Sequence, residues 1–523
     1  MNKASGTALI TTNGVSYPAN LTFNGAGTFQ LQDNITFSGN GKKLSESNGT
    51  FDCNSYDVTI AITSGSTFTL ANTMTLYNLI FNSSDKNDNL ILQGDLTVTN
   101  LMTLSGVNAG GRVLLSSDVP GTTRTLTCAS VAFTNVDFSD ITAAGAAAPF
   151  TGTVMGDALG NSNITFDTPV TRYWVATSGG NWGTTTGQWA SSSGGAATAS
   201  VPLPQDTVIF DANSIIGGST IIVNVPRMGK DIDFSAVTNS PILNVSQAAG
   251  NFGSLTLSSG MTITGFSVWT FWTRSSSTFT SGGLNLEIGV TWNMFGGTLT
   301  LQDTCNFVQG PINLNYGTLT VGANNMNFTT GILILGIGSK TLNMGSGTWT
   351  FSNTGTTVNI SSGTINCETS TIVINDTSAS AKSFIGGGKT YNILTITGDN
   401  VTISGNNTFT TLNVNTAGLT NGLKVTANST QTVTNFTTNG SAGNLAKILS
   451  TTAGTKFTLT TASPQISVDY MSIKDSFATQ TNTWYAGANS TNVSGNTNWL
   501  FTAPPGASSF IYPTQRMRMG MGA

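Results

Sequence analysis

Thr298-Leu299-Thr300-Leu301 and Thr318-Leu319-Thr320-Val321 carry the pattern that decides the fold of this 523-residue chain. Apolar and hydroxyl residues alternate for four positions, and then the run stops. The same pattern recurs as Asn20-Leu21-Thr22-Phe23, Thr67-Phe68-Thr69-Leu70, Asp95-Leu96-Thr97-Val98, Trp349-Thr350-Phe351 and Leu394-Thr395-Ile396, with Gly, Asn, Ser or Asp between runs. Alternation at period two describes a strand with its apolar residues inward and Thr outward. Strands this short are unstable alone and gain stability by stacking. A sandwich or barrel series and a parallel β-helix would both satisfy the pattern. Hairpins call for Asn-Gly or Asp-Gly turns between longer strands, and the chain offers few. The pattern therefore predicts an all-β protein of β-helix-like solenoid type, with coils of about 20 residues. Gly and Asn would form its corners, and Asn would stack in ladders from coil to coil.

One passage occurs twice. Gly160-Asn161-Ser162-Asn163-Ile164-Thr165-Phe166-Asp167-Thr168-Pro169 is matched by Gly495-Asn496-Thr497-Asn498-Trp499-Leu500-Phe501-Thr502-Ala503-Pro504. Upstream, Thr97-Val98-Thr99-Asn100-Leu101 is matched by Thr432-Val433-Thr434-Asn435-Phe436. A long passage repeated in order is a duplicated module. The expected organisation is two tandem solenoid units, each closed by a related cap, because open solenoid ends are unpaired edges. Residues 1–170 form the first unit, with the duplicated passage at 96–169. Residues 171–505 form a Trp-rich opening and a longer second unit, with the passage at 431–504. A flexible tail, 506–523, carries Arg516 and Arg518. Tyr470, Asp475, Trp484, Tyr485 and Trp499 are the expected cap residues of the second unit.

Composition narrows the function classes. Charged residues make up 8% of the chain, against about 25% in ordinary soluble domains. No apolar run approaches the ~20 residues of a spanning helix, so membrane insertion is not expected. Polarity comes instead from Thr, Ser and Asn, which suit β surfaces and turns. The net charge is −4 and the basic residues are scattered, almost all singly, apart from Lys42-Lys43 and the tail pair Arg516 and Arg518. Nothing there would neutralise a phosphate backbone, so no nucleic-acid partner is expected. Cys53, Cys128, Cys305 and Cys367 are far apart and show no metal-ligand spacing; they read as small buried hydrophobes. The opening Met1-Asn2-Lys3-Ala4-Ser5-Gly6-Thr7 lacks the apolar stretch of a secretory signal, which favours assembly inside a host cell over export.

Catalytic chemistry has little to build on. With no histidine, the commonest general base and metal ligand is missing. Ser383-Phe384-Ile385-Gly386-Gly387-Gly388-Lys389-Thr390 ends like a phosphate-binding loop but has Ser383 where the first glycine belongs. Paired carboxylates for sugar hydrolysis would have to come from three glutamates (Glu46, Glu287 and Glu368) or from aspartates such as Asp469, Asp475, Asp231 and Asp233. The expectation is a protein that is not an enzyme, with no cofactor and no metal.

Phe266-Ser267-Val268-Trp269-Thr270-Phe271-Trp272-Thr273-Arg274 is the best candidate for ligand contact. In a strand, Trp269 and Phe271 point one way and Trp272 and Arg274 the other, so one aromatic set should lie at a surface or interface. Exposed aromatics offer flat apolar faces for glycans. Trp182 and Trp189 invite the same reading, or belong to the core of a small opening fold.

Tyr173-Trp174-Val175, Asn181-Trp182, Gln188-Trp189 and Pro204-Gln205-Asp206-Thr207-Val208-Ile209-Phe210-Asp211 resemble openings of bacterial β-strand-repeat surface adhesins and segments of tailed-phage virion proteins. Val468-Asp469-Tyr470-Met471-Ser472-Ile473-Lys474-Asp475-Ser476, with Thr483-Trp484-Tyr485-Ala486-Gly487, resembles a terminal segment of the same phage-type proteins. The resemblance implies a structural virion protein: a tail fibre, spike or capsid-surface decoration. Its expected partners are other virion proteins, further copies of itself (a trimer by analogy with phage fibres) and host-surface glycan. A bacterial cell-surface adhesin or matrix protein is the alternative, and a polysaccharide-cleaving spike a third reading.

Overall fold

In the computed structural model, which describes residues 1–505 apart from 64, 331 and 337, every regular element is a β-strand. The tail expected at 506–523 lies outside the described residues. Successive strands pair in parallel with partners one coil away: Leu21 opposite Leu44, Leu44 opposite Leu70, and Leu70 opposite Leu92. Parallel pairing at this offset is a β-solenoid and excludes the sandwich and barrel series. The antiparallel exception among named strands is Thr171–Trp174 against Trp189–Ala190 in the Trp-rich opening.

The alternating code builds the core as columns. Phe37, Ile60, Phe81, Leu104 and Phe133 stand above one another through successive registers, each 3% exposed or less. Phe307, Phe328 and Phe351 form another column, with ring centroids 5.3 and 4.4 Å apart. Threonines and asparagines between them face outward. Asn327 Nδ2 donates to Asn306 Oδ1 at 2.8 Å, and Asn366 Nδ2 to Asn343 Oδ1 at 2.7 Å, so the expected asparagine ladders are present. At the corners, backbone amides that find no ladder partner are taken by aspartates one coil away: Thr12 N by Asp33, Ser254 N by Asp231, and Ser281 N by Asp303. A buried amide must be paired somewhere, and a short carboxylate at a corner does this without extending the sheet.

The chain forms two compact bodies. Among the described residues, the larger holds 1–353 and 362–370, and the smaller holds 354–361 and 371–505. In the smaller body, Val401, Leu423, Ile448 and Ile473 form one core column, and Gln465–Ser467, Thr483–Tyr485 and Trp499–Leu500 make a three-stranded sheet. Trp484 and Trp499 meet there edge to face at 5.3 Å.

The two copies of the duplicated passage fold alike, atom for atom in places. Asp140 and Asp475 are both buried at positive φ, and their Oδ2 atoms accept the amides of Gly121 (3.0 Å) and Gly454 (3.1 Å). Asn161 and Asn496 each donate from Nδ2 to a main-chain carbonyl, Phe138 or Ile473, at 2.7 Å. Tyr470 sits at positive φ as Asn135 does. Gly495, at φ +69°, lies so close to Asp475 that any Cβ would strike its Oδ1.

Within the larger body, coils 1–167 pack against coils beginning at 171. Asp137, fully buried, receives Arg112 Nε at 2.7 Å on one oxygen and Arg227 Nε on the other. The second positive charge is dispersed onto carbonyls: Arg227 Nη2 donates to Arg112 O at 2.6 Å and Arg112 Nη2 to Arg227 O at 3.4 Å. Burial pulls the Arg227 guanidinium below its ordinary pKa, and Asp137 opposes that shift. Gln205 bridges the same joint, accepting from Asp157 N at 2.9 Å and donating to Met155 O and Asp167 O.

None of the four cysteines is in a disulfide. Burial pushes the thiols of Cys53, Cys128 and Cys305 up to about 12, because an apolar site disfavours thiolate. Cys367 is half-buried. A thiol-titration reagent at pH 8 is expected to count one accessible thiol in the native protein, Cys367, and four in denaturant. Three fast native thiols would contradict this burial. The native state also keeps protons that the unfolded chain releases above its ordinary thiol pKa of about 8.5. That contribution to stability is present below this pH and is lost as pH rises toward 12.

Candidate functional site

The joint between the two runs of coils in the larger body creates a groove of ≈ 490 Å³. One wall is the Pro120-Gly121-Thr122 turn; the other carries the half-buried rings of Phe295 and Tyr316, with Trp272 stacked on Phe295 but lining the neighbouring cleft. Trp272 lies 6.1 Å from Phe295 with planes at 22°, and Phe295 lies 4.5 Å from Tyr316. The three come from successive coils, but not from equivalent ladder positions: Tyr316 stands opposite Asn293, and the register slips between Asn293 and Thr298, which brings Phe295 out beside Tyr316. Tyr316 is followed by Gly317 at φ +80°, where an added Cβ would collide with Met294 O. Glycine is thus needed for the coils to approach closely enough for Tyr316 to reach Phe295.

Arg274 closes one end. Its Nη2 donates to Asp140 Oδ2 at 2.6 Å, and its guanidinium stands 5.4 Å from the Phe295 ring centroid. Asp140 is thereby shared between the corner amide of Gly121 and an arginine 134 residues away. Its other oxygen, Oδ1, is buried without a hydrogen-bond partner. Lys340, at the opposite end, is folded onto Gly336 O and Gly338 O. The groove therefore offers stacked apolar faces, backbone groups bared by glycine, and a fixed guanidinium that is already neutralised. Such a lining can bind a neutral, flat, hydroxylated ligand by stacking and hydrogen bonding.

Of the candidates read from sequence, Arg274 lines this groove, while Trp272 stacks on Phe295 and faces the neighbouring cleft with Pro226 and Phe252. Trp269 and Phe271 are 1% exposed core residues, and Trp269 Nε1 donates to Asn251 Oδ1 at 2.9 Å; no ligand can stack on them. Trp182 and Trp189 are fully buried with Trp174, Phe210 and Phe234 in an aromatic cluster, which is the core reading of the Trp-rich opening. Phe295 and Tyr316 escaped the sequence reading. Their signal is spacing: an aromatic directly before glycine at 295 and 316, 21 apart, with Trp272 another 23 residues upstream.

The suggestive aspartates serve the backbone. Asp469 Oδ1 accepts Asn489 N at 2.9 Å, Asp231 accepts Ser254 N, and Asp233 accepts Ser235 N. Among the described residues, no three His, Cys, Asp or Glu side chains gather as metal ligands. No helix among them is long and apolar enough to cross a membrane. No protein-family model, curated protein or solved structure matches the chain.

Proposed function

We propose that this all-β solenoid is a structural surface protein of a phage particle (fibre, spike or decoration) that holds host-surface glycan in the groove lined by Phe295, Tyr316 and Arg274. The observation that carries the reading is the pair of rings. On a solenoid clothed in Thr, Asn and Ser, Phe295 and Tyr316 stay half-exposed on successive coils, the coils being about 4.8 Å apart along the stack. That rise is close to one pyranose unit, so neighbouring sugars of an extended chain could each meet a ring. The closing passages at 96–169 and 431–504 serve as caps, and the corner aspartates serve folding rather than sugar cleavage. The phage assignment draws on the resemblance of the Trp-rich opening and the second closing passage to virion proteins. The adhesin reading shares the first of these resemblances.

Screening purified chain against bacterial surface polysaccharides tests the proposal. Phe295→Ala and Tyr316→Ala are each expected to weaken a neutral glycan ligand about tenfold, or ~1.4 kcal/mol. Phe271→Leu, a core change, should leave affinity unaltered. Equal binding by all three variants would remove the groove from the function. Release of reducing sugar by the wild-type chain would replace the binding reading with the cleaving one.

A further inference from the structure

The duplication makes an internal comparison possible that points to a second site, in the smaller body. In the first copy, Leu114 pairs with Asp137 and Ser116 with Ser139. In the second, Lys447 pairs with Ser472 and Leu449 with Lys474. The buried columns Val113/Leu115 and Ala446/Ile448 fix the equivalence. Leu114, Asp137, Ser139 and Ala158 therefore correspond to Lys447, Ser472, Lys474 and Val493.

The first-copy face is occupied. Leu114, Ser139 and Ala158 border a cleft of ≈ 260 Å³ that is closed by Pro226, Arg227, Phe252 and Trp272 from the adjoining coils. It is a neutral, apolar docking face with one carboxylate for the incoming arginine. The second-copy face has kept the fold and lost that chemistry. The carboxylate is Ser472, and two of the apolar or small positions are lysines. Lys424, one coil earlier, adds a third ammonium. Val493 is 49% exposed. Lys424, Lys447 and Lys474 line one groove of ≈ 340 Å³ with Asn421, Ser472 and Val493.

No carboxylate is among the residues lining this groove; Asp399, beside it, is held by Asn421 N and Nδ2 at 2.8 and 2.9 Å. Lys424 Nζ donates to Asn400 Oδ1 at 2.7 Å and Lys447 Nζ to Thr420 O at 2.9 Å. None of the three is in an ion pair among the described residues. In a chain with 19 basic residues out of 523, three converging on one groove is a local excess that the sequence hides, since they are 23 and 27 positions apart.

We propose that this face is a binding site for a polyanionic glycan, with carboxylate or sulfate groups set against Lys424, Lys447 and Lys474 and sugar hydroxyls against Asn421 and Ser472. Charges one and two coils apart suit a ligand whose anionic groups repeat along a chain, and the mixed hydroxyl and amide lining suits sugar rather than an apolar protein surface. The inference rests on the surface-glycan reading for the class of macromolecule, but it uses a different site, body and chemistry from the aromatic groove.

The test uses the full chain with polygalacturonate, dextran sulfate, uncharged dextran and polyglutamate as probes. Polygalacturonate or dextran sulfate should bind at low salt and weaken steeply as salt rises. The Lys424→Ser/Lys447→Ser/Lys474→Ser variant should lose at least tenfold in affinity while keeping its melting temperature. The more strongly affected of the two anionic polymers identifies the anion. Tyr316→Ala should leave this binding unchanged, so failure of the groove and failure of the lysine face are read separately. Two results would overturn the proposal: anionic-glycan binding by the triple variant within twofold of wild type, or polyglutamate binding as well as the sugars, which would make the face a docking site for acidic protein.

Discussion

Asp137→Ala is expected to destabilise the larger body by about 3–5 kcal/mol, because it leaves two arginines buried beside each other with no counter-charge. Arg112 is 3% exposed and Arg227 7%. Neither can swing to water without opening the joint between coils 1–167 and those that follow. The expected readout is an early unfolding transition in urea, with new proteolytic cleavage between residues 157 and 171. The control separates charge from packing. Replacing all three residues with apolar side chains of similar volume (Asp137→Leu with Arg112→Met and Arg227→Met) should recover most of the loss, since such exchanges are often neutral or stabilising. If the single substitution left the first transition in place, the joint would be held by its apolar contacts, Gln205 and the Arg274–Asp140 pair.

Trp189→Ala is expected to cost a comparable amount, about 3–5 kcal/mol, as a large aromatic removed from a closed core. Trp189 meets Trp174 edge to face at 5.0 Å and Trp182 at 5.0 Å, and its Nε1 donates to Trp182 O at 3.0 Å. The cluster also makes an internal prediction. Trp182 Nε1 is buried with no partner, so Trp182→Phe should be milder than Trp189→Phe, which also discards a hydrogen bond worth about 1 kcal/mol. Thermal melts of the two phenylalanine variants decide it; the reverse order would mean that ring volume, not hydrogen bonding, ranks them.

The fold was legible because a solenoid repeats its instructions locally. Inward Leu, Ile and Phe, outward Thr and Asn, and corner Gly and Asp are each visible within a few residues, and the duplicated passage carries its geometry with it down to Asp140 and Asp475. The ligand surfaces were legible only in part. The alternation in Trp269–Arg274 correctly separates two faces, but both carry aromatics, so sequence cannot say which is core. Phe295 and Tyr316 stand alone in the linear order and become a surface only when the coils stack. The joint is less visible still: Arg227 meets Asp137 across 90 positions and Arg274 meets Asp140 across 134, with no local pattern announcing either. Scattered lysines are a true description of the sequence and a poor one of the smaller body, where one coil period turns 424, 447 and 474 into neighbours.

The coil-to-coil ladder has a mechanical consequence. In a stack where each turn contacts its immediate neighbours, the hydrogen bonds between Leu423–Val425, Ala446–Ser450 and Met471–Lys474 run along the axis of stacking. Tension applied in that direction passes through the rungs in series. The rupture force is then set by the weakest rung, whatever the number of turns, and yielding proceeds by peeling turns away from that point. A particle tethered through such a stack would have a fixed breaking load, tuned by the sequence of a single coil.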